Sequence, residues 1–135
     1  IQVFEKQLLL AEKYKKPVIL HLVAAFQELI EIKKRLNISV TMVVHGFSGS
    51  KELANQLINN GFYLSFGKYL LLNPSLEESF LTVPEDRFFL ETDTYDAKIE
   101  AVYDLASKYK NVPLQKLQQL IEINFNTVFR NGRMD

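Results

Sequence analysis

The stretch Pro17-Val18-Ile19-Leu20-His21-Leu22-Val23 decides the fold. Such a short, nearly continuous apolar run is typical of a parallel strand that is buried on both faces of its sheet. A helix is predicted before it, because apolar residues recur at three- and four-residue steps from Val3 to Lys16. A second helix is predicted after it, from Phe26 to Leu36, and Asn37 suits its end.

The alternation of strand and helix continues to the end of the chain. Further strands are predicted at residues 40–45, 62–66 and 87–93, and further helices at residues 53–58, 97–110 and 113–129. Ser48 or Ser50 suits the start of the helix that Asn60-Gly61 ends, and a looser stretch with Asn73-Pro74-Ser75 precedes the last strand. This order predicts a parallel sheet with right-handed crossovers, either an open doubly wound sheet or a barrel.

The position of the polar residues favours the barrel. His21, His45, Ser65 and Asp93 each lie at or near the carboxyl end of an otherwise apolar strand. Barrel enzymes gather their catalytic groups from the ends of several strands, whereas an open sheet binds ligands mainly at one switch point. The sequence also contains no glycine-rich nucleotide-binding pattern. We therefore expect part of a (β/α)8 TIM barrel.

The chain is too short for a whole barrel. Such a barrel takes about 250 residues, and 135 residues with four predicted strands provide half of one. We expect residues 1–135 to form a single domain, a partial barrel that lacks its N-terminal strands, since Ile1 is not an initiator methionine and the first helix has no strand before it. The open strand edges then need a missing N-terminal segment, a partner chain or a rearranged fold to cover them.

Composition excludes several classes of protein. With 47% hydrophobic and 12% aromatic residues the chain is expected to be globular, and 16 basic against 16 acidic residues give no overall positive field for nucleic acid. The absence of cysteine excludes disulfides and thiolate metal sites and favours the cytoplasm. No apolar run is long enough for a membrane span, and no signal peptide is apparent.

Three strand-end residues suggest a metal site. His21 and His45, the two histidines of the chain, are one strand–helix unit apart. On adjacent strands about 5 Å apart, both side chains would point into the same mouth of the barrel. Imidazole is a common ligand of divalent metals, and Asp93 adds a carboxylate that ligates metal or accepts a proton from water. The alternatives are ordinary core or surface histidines, and an aspartate that caps a helix. Glu91 would orient a ligand or pair with a core arginine.

Five motifs and a late asparagine, in order and spacing, resemble the TatD family of metal-dependent deoxyribonucleases, in a short form found in bacteria. They are Phe4-Glu5-Lys6-Gln7 with Pro17-Val18-Ile19-Leu20-His21, His45-Gly46-Phe47-Ser48-Gly49, Gly61-Phe62-Tyr63-Leu64-Ser65-Phe66-Gly67, Leu90-Glu91-Thr92-Asp93, and Asn126. The resemblance implies the C-terminal half, about strands 5–8, of a TIM barrel of the metal-dependent hydrolase type.

The resemblance also implies an activity and a site. The activity is hydrolysis of phosphodiester bonds in DNA by a metal-activated water, with magnesium, manganese or zinc as the divalent ion. His21, His45 and Asp93 would be metal ligands, and Asp93 would also be the catalytic residue that activates the water. The family's remaining ligands, a His-x-His and a glutamate, belong to strands that would precede Ile1. We therefore expect this fragment alone to be inactive.

Two departures from the family pattern keep a second function open. Leu22-Val23-Ala24-Ala25 stands where the family carries an arginine, and Thr94-Tyr95-Asp96 adds a negative charge that weakens attraction to DNA. Lys51 and Lys68 are the basic residues near the predicted mouth. The alternative is a catalytically weak or inert relative that acts as a binding or scaffold protein. A third option is a barrel hydrolase with a small ester or amide substrate.

Two aromatic residues near the mouth have their own alternatives. Phe47 and Tyr69 would either stack on a base, a contact worth about 1–3 kcal/mol, or line the core or a loop. Such aromatic residues more often line the core or a loop.

Overall fold

The computed structural model describes residues 2–20, 26–91 and 99–130 of the chain. These residues form eleven α-helices and strands in chain order, followed by a π-helical turn at Asn126–Arg130. The elements are α1 (Gln2–Tyr14), β1 (Val18–Leu20), α2 (Phe26–Arg35), β2 (Met42–Val44), α3 (Lys51–Asn59), β3 (Phe62–Phe66), α4 (Lys68–Leu72), α5 (Leu76–Thr82), β4 (Phe88–Leu90), α6 (Ile99–Lys110) and α7 (Leu114–Phe125).

The four strands form one parallel sheet in the order β1-β2-β3-β4. Leu20, Val44, Leu64 and Phe88 are aligned across it in one row. Each strand therefore pairs with the next strand along the chain, and all four carboxyl ends lie at the same edge of the sheet. This arrangement confirms the predicted parallel sheet and fixes the edge at which strand-end residues meet.

The core lies between the sheet and the helices. The aligned side chains of Leu20, Val44, Leu64 and Phe88 are 0–5% exposed and belong to the main apolar cluster with residues of the helices, such as Leu57. The opposite face carries a smaller cluster, in which Val43, Tyr63 and Phe89 pack with Val128 of the π-helical turn. The face of the sheet that carries this smaller cluster corresponds to the inside of the predicted barrel.

Strand β1 differs from its prediction. Ile19 is aligned with Val43 on the inner face of the sheet, yet its side chain is 52% exposed. The prediction that this strand is buried on both faces is therefore wrong at Ile19. The reason is position: β1 ends the sheet, and the π-helical turn at Asn126–Arg130 packs on Val43, Tyr63 and Phe89 rather than on Ile19.

The predicted helix boundaries are confirmed where a capping residue marks them. The Ser50 hydroxyl accepts a hydrogen bond of 3.2 Å from the backbone N–H of Leu53 at the start of α3. Asn60 ends that helix, and Gly61 follows with a φ of +86°, a conformation that glycine adopts without strain. Asn37 has a φ of +55° just after α2, as suits an asparagine at a helix end.

Two segments differ from the predicted secondary structure. The looser stretch before the last strand contains the short helices α4 and α5. Helix α5 is held by tertiary contacts, because Leu76 and Phe80 are buried and the Ser79 hydroxyl donates to the carbonyl of Gly49 at 2.7 Å. The helix predicted to run to residue 129 ends at Phe125 and continues as the π-helical turn.

Candidate metal site

His45 follows β2 directly and therefore lies at the carboxyl edge of the sheet. Its backbone N–H donates to the carbonyl of Leu20 at 2.8 Å, and the N–H of Phe47 donates to the carbonyl of Ser65 at 2.9 Å. These two bonds fix the end of β2 between the ends of β1 and β3.

His21 and Asp93, the other two predicted ligands, lie outside the described residues, so their roles stay predictions.

The His45 side chain pairs with a carboxylate from the end of β4. Its Nδ1 atom contacts Oε2 of Glu91, and the two side chains are 20% and 16% exposed. An imidazole that donates from Nδ1 carries its lone pair on Nε2, which is a form that binds metals. A histidine backed by a carboxylate in this way is the usual arrangement in zinc sites.

Glu91 is held by two further donors from neighbouring strands. Its Oε1 accepts a hydrogen bond of 2.6 Å from the backbone N–H of Gly46, and its Oε2 accepts one of 2.7 Å from the Ser65 hydroxyl. Its own backbone N–H donates to the carbonyl of Phe66 at 2.9 Å. Ser65 is only 4% exposed, so a buried hydroxyl in an apolar strand is directed at this carboxylate. The carboxylate thus links the ends of β2, β3 and β4.

Two glycines make room for Glu91. Gly46 has a φ of +66°, which turns the chain after His45 and places its N–H on Glu91. At Gly67, an added Cβ would lie 2.8 Å from the backbone oxygen of Glu91 and 3.0 Å from its Cγ. In the sequence, Gly67 only follows the strand predicted at residues 62–66. Its second role depends on the close approach of β4, which has no local signature in the sequence.

The structure decides between the alternatives for several predicted residues. Glu91 pairs with His45, so the predicted alternative of a core arginine partner is wrong. Phe47 is 1% exposed and packs edge-on against Phe66, with ring centroids 5.7 Å apart. The alternative that Phe47 lines the core is therefore confirmed, and the alternative that it stacks on a base is wrong. Tyr69 is 40% exposed, so its alternatives stay open.

Of the basic residues near the predicted mouth, Lys51 forms an ion pair of 2.7 Å with Glu78, which offsets the positive charge of Lys51.

The described residues do not contain a complete metal site. Within residues 2–20, 26–91 and 99–130, no group of three histidine, cysteine, aspartate or glutamate side chains could hold a metal ion. His45 with its carboxylate partner Glu91 nevertheless fits the donor chemistry of a metal ligand and its supporting residue. The sequence predicts His21 and Asp93 as the further ligands of such a site.

A consecutive parallel sheet with a histidine–carboxylate pair at its carboxyl edge fits the class of β/α-barrel enzymes, whose active sites lie at that edge. The sequence profile of the family described as TatD related DNase matches residues 1–130. The chain belongs to this family.

None of the helices in the described part of the chain is both long and apolar enough to cross a membrane.

Similar proteins that are named metal-dependent hydrolases support the same assignment. A metal-dependent hydrolase of Haemophilus influenzae, named as uncharacterised, is 31% identical over 98 residues, which cover 71% of this chain and 37% of that protein. The metal-dependent hydrolase YabD of Bacillus subtilis, also named as uncharacterised, is 33% identical over 95 residues, which cover 68% of this chain and 37% of that protein. A protein of Enterocytozoon bieneusi, named as a candidate deoxyribonuclease, is 30% identical over 116 residues, which cover 85% of this chain and 41% of that protein.

A solved structure confirms the fold. The crystal structure of YjjV, a TatD homologue from Escherichia coli, is 26% identical and superposes with a TM-score of 0.84. The match covers 93% of this chain and 54% of YjjV. The chain thus spans about half of YjjV and about a third of the H. influenzae and B. subtilis relatives. The predicted half of a TatD-type barrel is confirmed.

Proposed function

We propose that the complete protein hydrolyses phosphodiester bonds in DNA and that His45 is one of the ligands of its divalent metal. The observation that supports this proposal best is the contact between His45 Nδ1 and Glu91 Oε2 at the carboxyl edge of the sheet. A histidine that is oriented by a partly buried carboxylate is suited to metal binding. Family membership, and the name of the E. bieneusi relative, support DNA as the substrate.

Each residue has a separate task in this proposal. His21, His45 and Asp93 hold the metal, and Asp93 also takes the proton from the attacking water. Glu91 keeps His45 in place through the contact at Nδ1. When bound, a divalent metal supplies a Lewis acid for the phosphate and lowers the pKa of a coordinated water. Histidine and carboxylate ligands accept magnesium, manganese or zinc. The choice among these three ions is therefore made by the activity assay described next.

The test is an assay of the complete protein on labelled single-stranded and double-stranded DNA. The metal-free protein is supplied in turn with magnesium, manganese and zinc, and wild type is compared with His45→Ala and Asp93→Asn. We expect Asp93→Asn to lose at least about 100-fold in rate, as for a positioned proton acceptor. Glu77→Gln, an exposed change on α5, is the control and is expected to retain the wild-type rate. If the wild type cleaves no phosphodiester with any of the three metals, the proposal is wrong.

A catalytically weak relative that binds but does not cleave is the second candidate. The ion pair of Lys51 with Glu78 favours it, because the pair offsets a positive charge at the start of α3, the helix that follows β2. The negative charge of Asp96 favours this candidate too, because it weakens attraction to DNA. It predicts that the protein binds metal through His45 without measurable hydrolysis of DNA, whereas the nuclease does both.

A further inference from the structure

We infer that Glu91 is a positioning residue that holds His45 as the Nδ1-protonated tautomer and directs Nε2 toward the metal. This inference rests on the proposed function for the metal, although the contact itself is a property of the chain. Glu91 is not among the predicted ligands His21, His45 and Asp93. Its role is to fix the proton position and the ring orientation of one of them.

The hydrogen bonds of Glu91 explain why it supports a ligand. An ionised carboxylate offers about four lone-pair positions. Three donors reach this one: His45 Nδ1 and the Ser65 hydroxyl at Oε2, and the Gly46 N–H at Oε1. With Oε2 accepting from two donors, little acceptor capacity is left for a metal. Glu91 is therefore engaged as an acceptor for the protein's own groups.

The rigidity of this arrangement explains why the tautomer is fixed. The Gly46 N–H comes from the residue after His45, so one carboxylate binds both the side chain of His45 and the backbone beside it. Gly67 allows the backbone of Glu91 to approach closely enough for these bonds, since a Cβ there would lie 2.8 Å from its carbonyl oxygen. The hydrogen bond at one ring nitrogen decides which nitrogen carries the proton. Removal of the carboxylate removes that constraint.

The first measurement is ¹⁵N NMR of histidine-labelled, metal-free complete protein at a pH where the imidazole is neutral. The signal that disappears in His45→Asn assigns His45. We expect wild type to show a protonated Nδ1 and an unprotonated Nε2, and Glu91→Ala to show a mixture of tautomers. Glu91→Gln, which retains one acceptor oxygen, is expected to restore the wild-type tautomer in part. This readout requires neither metal nor DNA.

The second measurement is metal affinity by titration of the same variants. We expect Kd to rise about 10–100-fold in Glu91→Ala, as for the loss of a partner that orients a ligand. Glu91→Gln is expected to lie between Glu91→Ala and wild type, and the exposed control Glu77→Gln to match wild type. Ser65→Ala keeps the carboxylate and removes one of its donors, so its loss in affinity is expected to be smaller than that of Glu91→Ala.

Three results would overturn the inference. The first is a wild-type His45 that is protonated at Nε2 in the metal-free protein. The second is an unchanged metal affinity in Glu91→Ala. The third is a loss of bound metal in Glu91→Gln as complete as in His45→Ala, which would make Glu91 a ligand itself. A protein with the expected tautomer that cleaves no DNA would contradict only the proposed activity.

Discussion

Ser65 and Glu91 lie 26 positions apart in the chain, and a 2.7 Å hydrogen bond from the Ser65 hydroxyl to the Glu91 carboxylate joins the carboxyl ends of β3 and β4. The hydroxyl belongs to a strand whose other four residues are apolar or aromatic and whose five positions are all buried. A polar side chain at such a position is stabilised only if it has a partner. The end of β3 is thus built to hold a carboxylate.

Replacement of Ser65 by alanine tests this link. We expect Ser65→Ala to lower the free energy of unfolding by about 1.5–3 kcal/mol, the usual contribution of a hydrogen bond to a charged group. Urea denaturation of wild type and variant measures the difference. Ser75→Ala is the matched control, since Ser75 is exposed and bonds to an exposed Asn73, and its effect is expected within about 0.5 kcal/mol. Equal effects of the two changes would contradict the role of Ser65.

Replacement of Gly67 by alanine tests the close approach of β4. The added Cβ would lie 2.8 Å from the carbonyl oxygen of Glu91, so the end of β4 must shift. We expect a loss of stability of about 1–3 kcal/mol, typical of overpacking, and a weaker metal affinity because Glu91 moves with its backbone. Both are measured on the same preparation, by denaturation and by metal titration.

Gly61→Ala is the matched control for Gly67→Ala. It also strains the chain, because Gly61 has a φ of +86°, but it lies between α3 and β3, at the amino end of that strand. We expect a comparable loss of stability with metal affinity unchanged. If both variants lose metal affinity equally, the effect of Gly67 is general destabilisation and not the position of Glu91.

The carboxylate of Glu12 makes part of the stability depend on pH. The Ser39 hydroxyl, and then the Lys15 ammonium, lower the pKa of Glu12 from 4.5 to about 2. Its Oε1 also accepts the backbone N–H groups of Ser39 at 2.8 Å and Val40 at 3.0 Å. Because the folded state binds this proton less readily, the stabilisation is complete above pH 4.5 and is lost as pH falls through about 2.

Glu12→Gln is expected to remove this dependence. The variant should be less stable than wild type at neutral pH by about 1 kcal/mol, a modest value for a partly exposed group. The two proteins should become equally stable as pH falls below about 2, where Glu12 is protonated in the folded state as well. Urea denaturation at a series of pH values measures the difference. A constant difference across that range would contradict the lowered pKa of Glu12.

Much of the fold follows from the sequence because its causes are local. All five residues of β3, Phe62–Phe66, are buried and their run is bounded by Gly61 and Gly67, so the predicted and observed strands coincide. The predicted capping at Ser50 is likewise confirmed, since it depends on residues three positions apart. The parallel order of strands follows from their alternation with helices.

The rest depends on contacts between distant residues. The pairing of Glu91 with His45 requires the register of three strands and two glycines, and the sequence predicted only that Glu91 either orients a ligand or pairs with an arginine. The burial of Phe47 against Phe66 is also tertiary, so the sequence could name the core only as one of two alternatives for this side chain. Helices α4 and α5 are too short for their pattern to reveal them.

The most direct test of the central proposal is the affinity of the metal-free complete protein for a divalent metal, measured for wild type and His45→Ala by titration. If His45 is a ligand, Kd should rise at least about 100-fold in His45→Ala, as much as the largest losses caused by partners that only orient a ligand. Circular dichroism of both proteins confirms that the variant is folded. A folded His45→Ala protein that binds the metal as tightly as wild type would contradict the assignment.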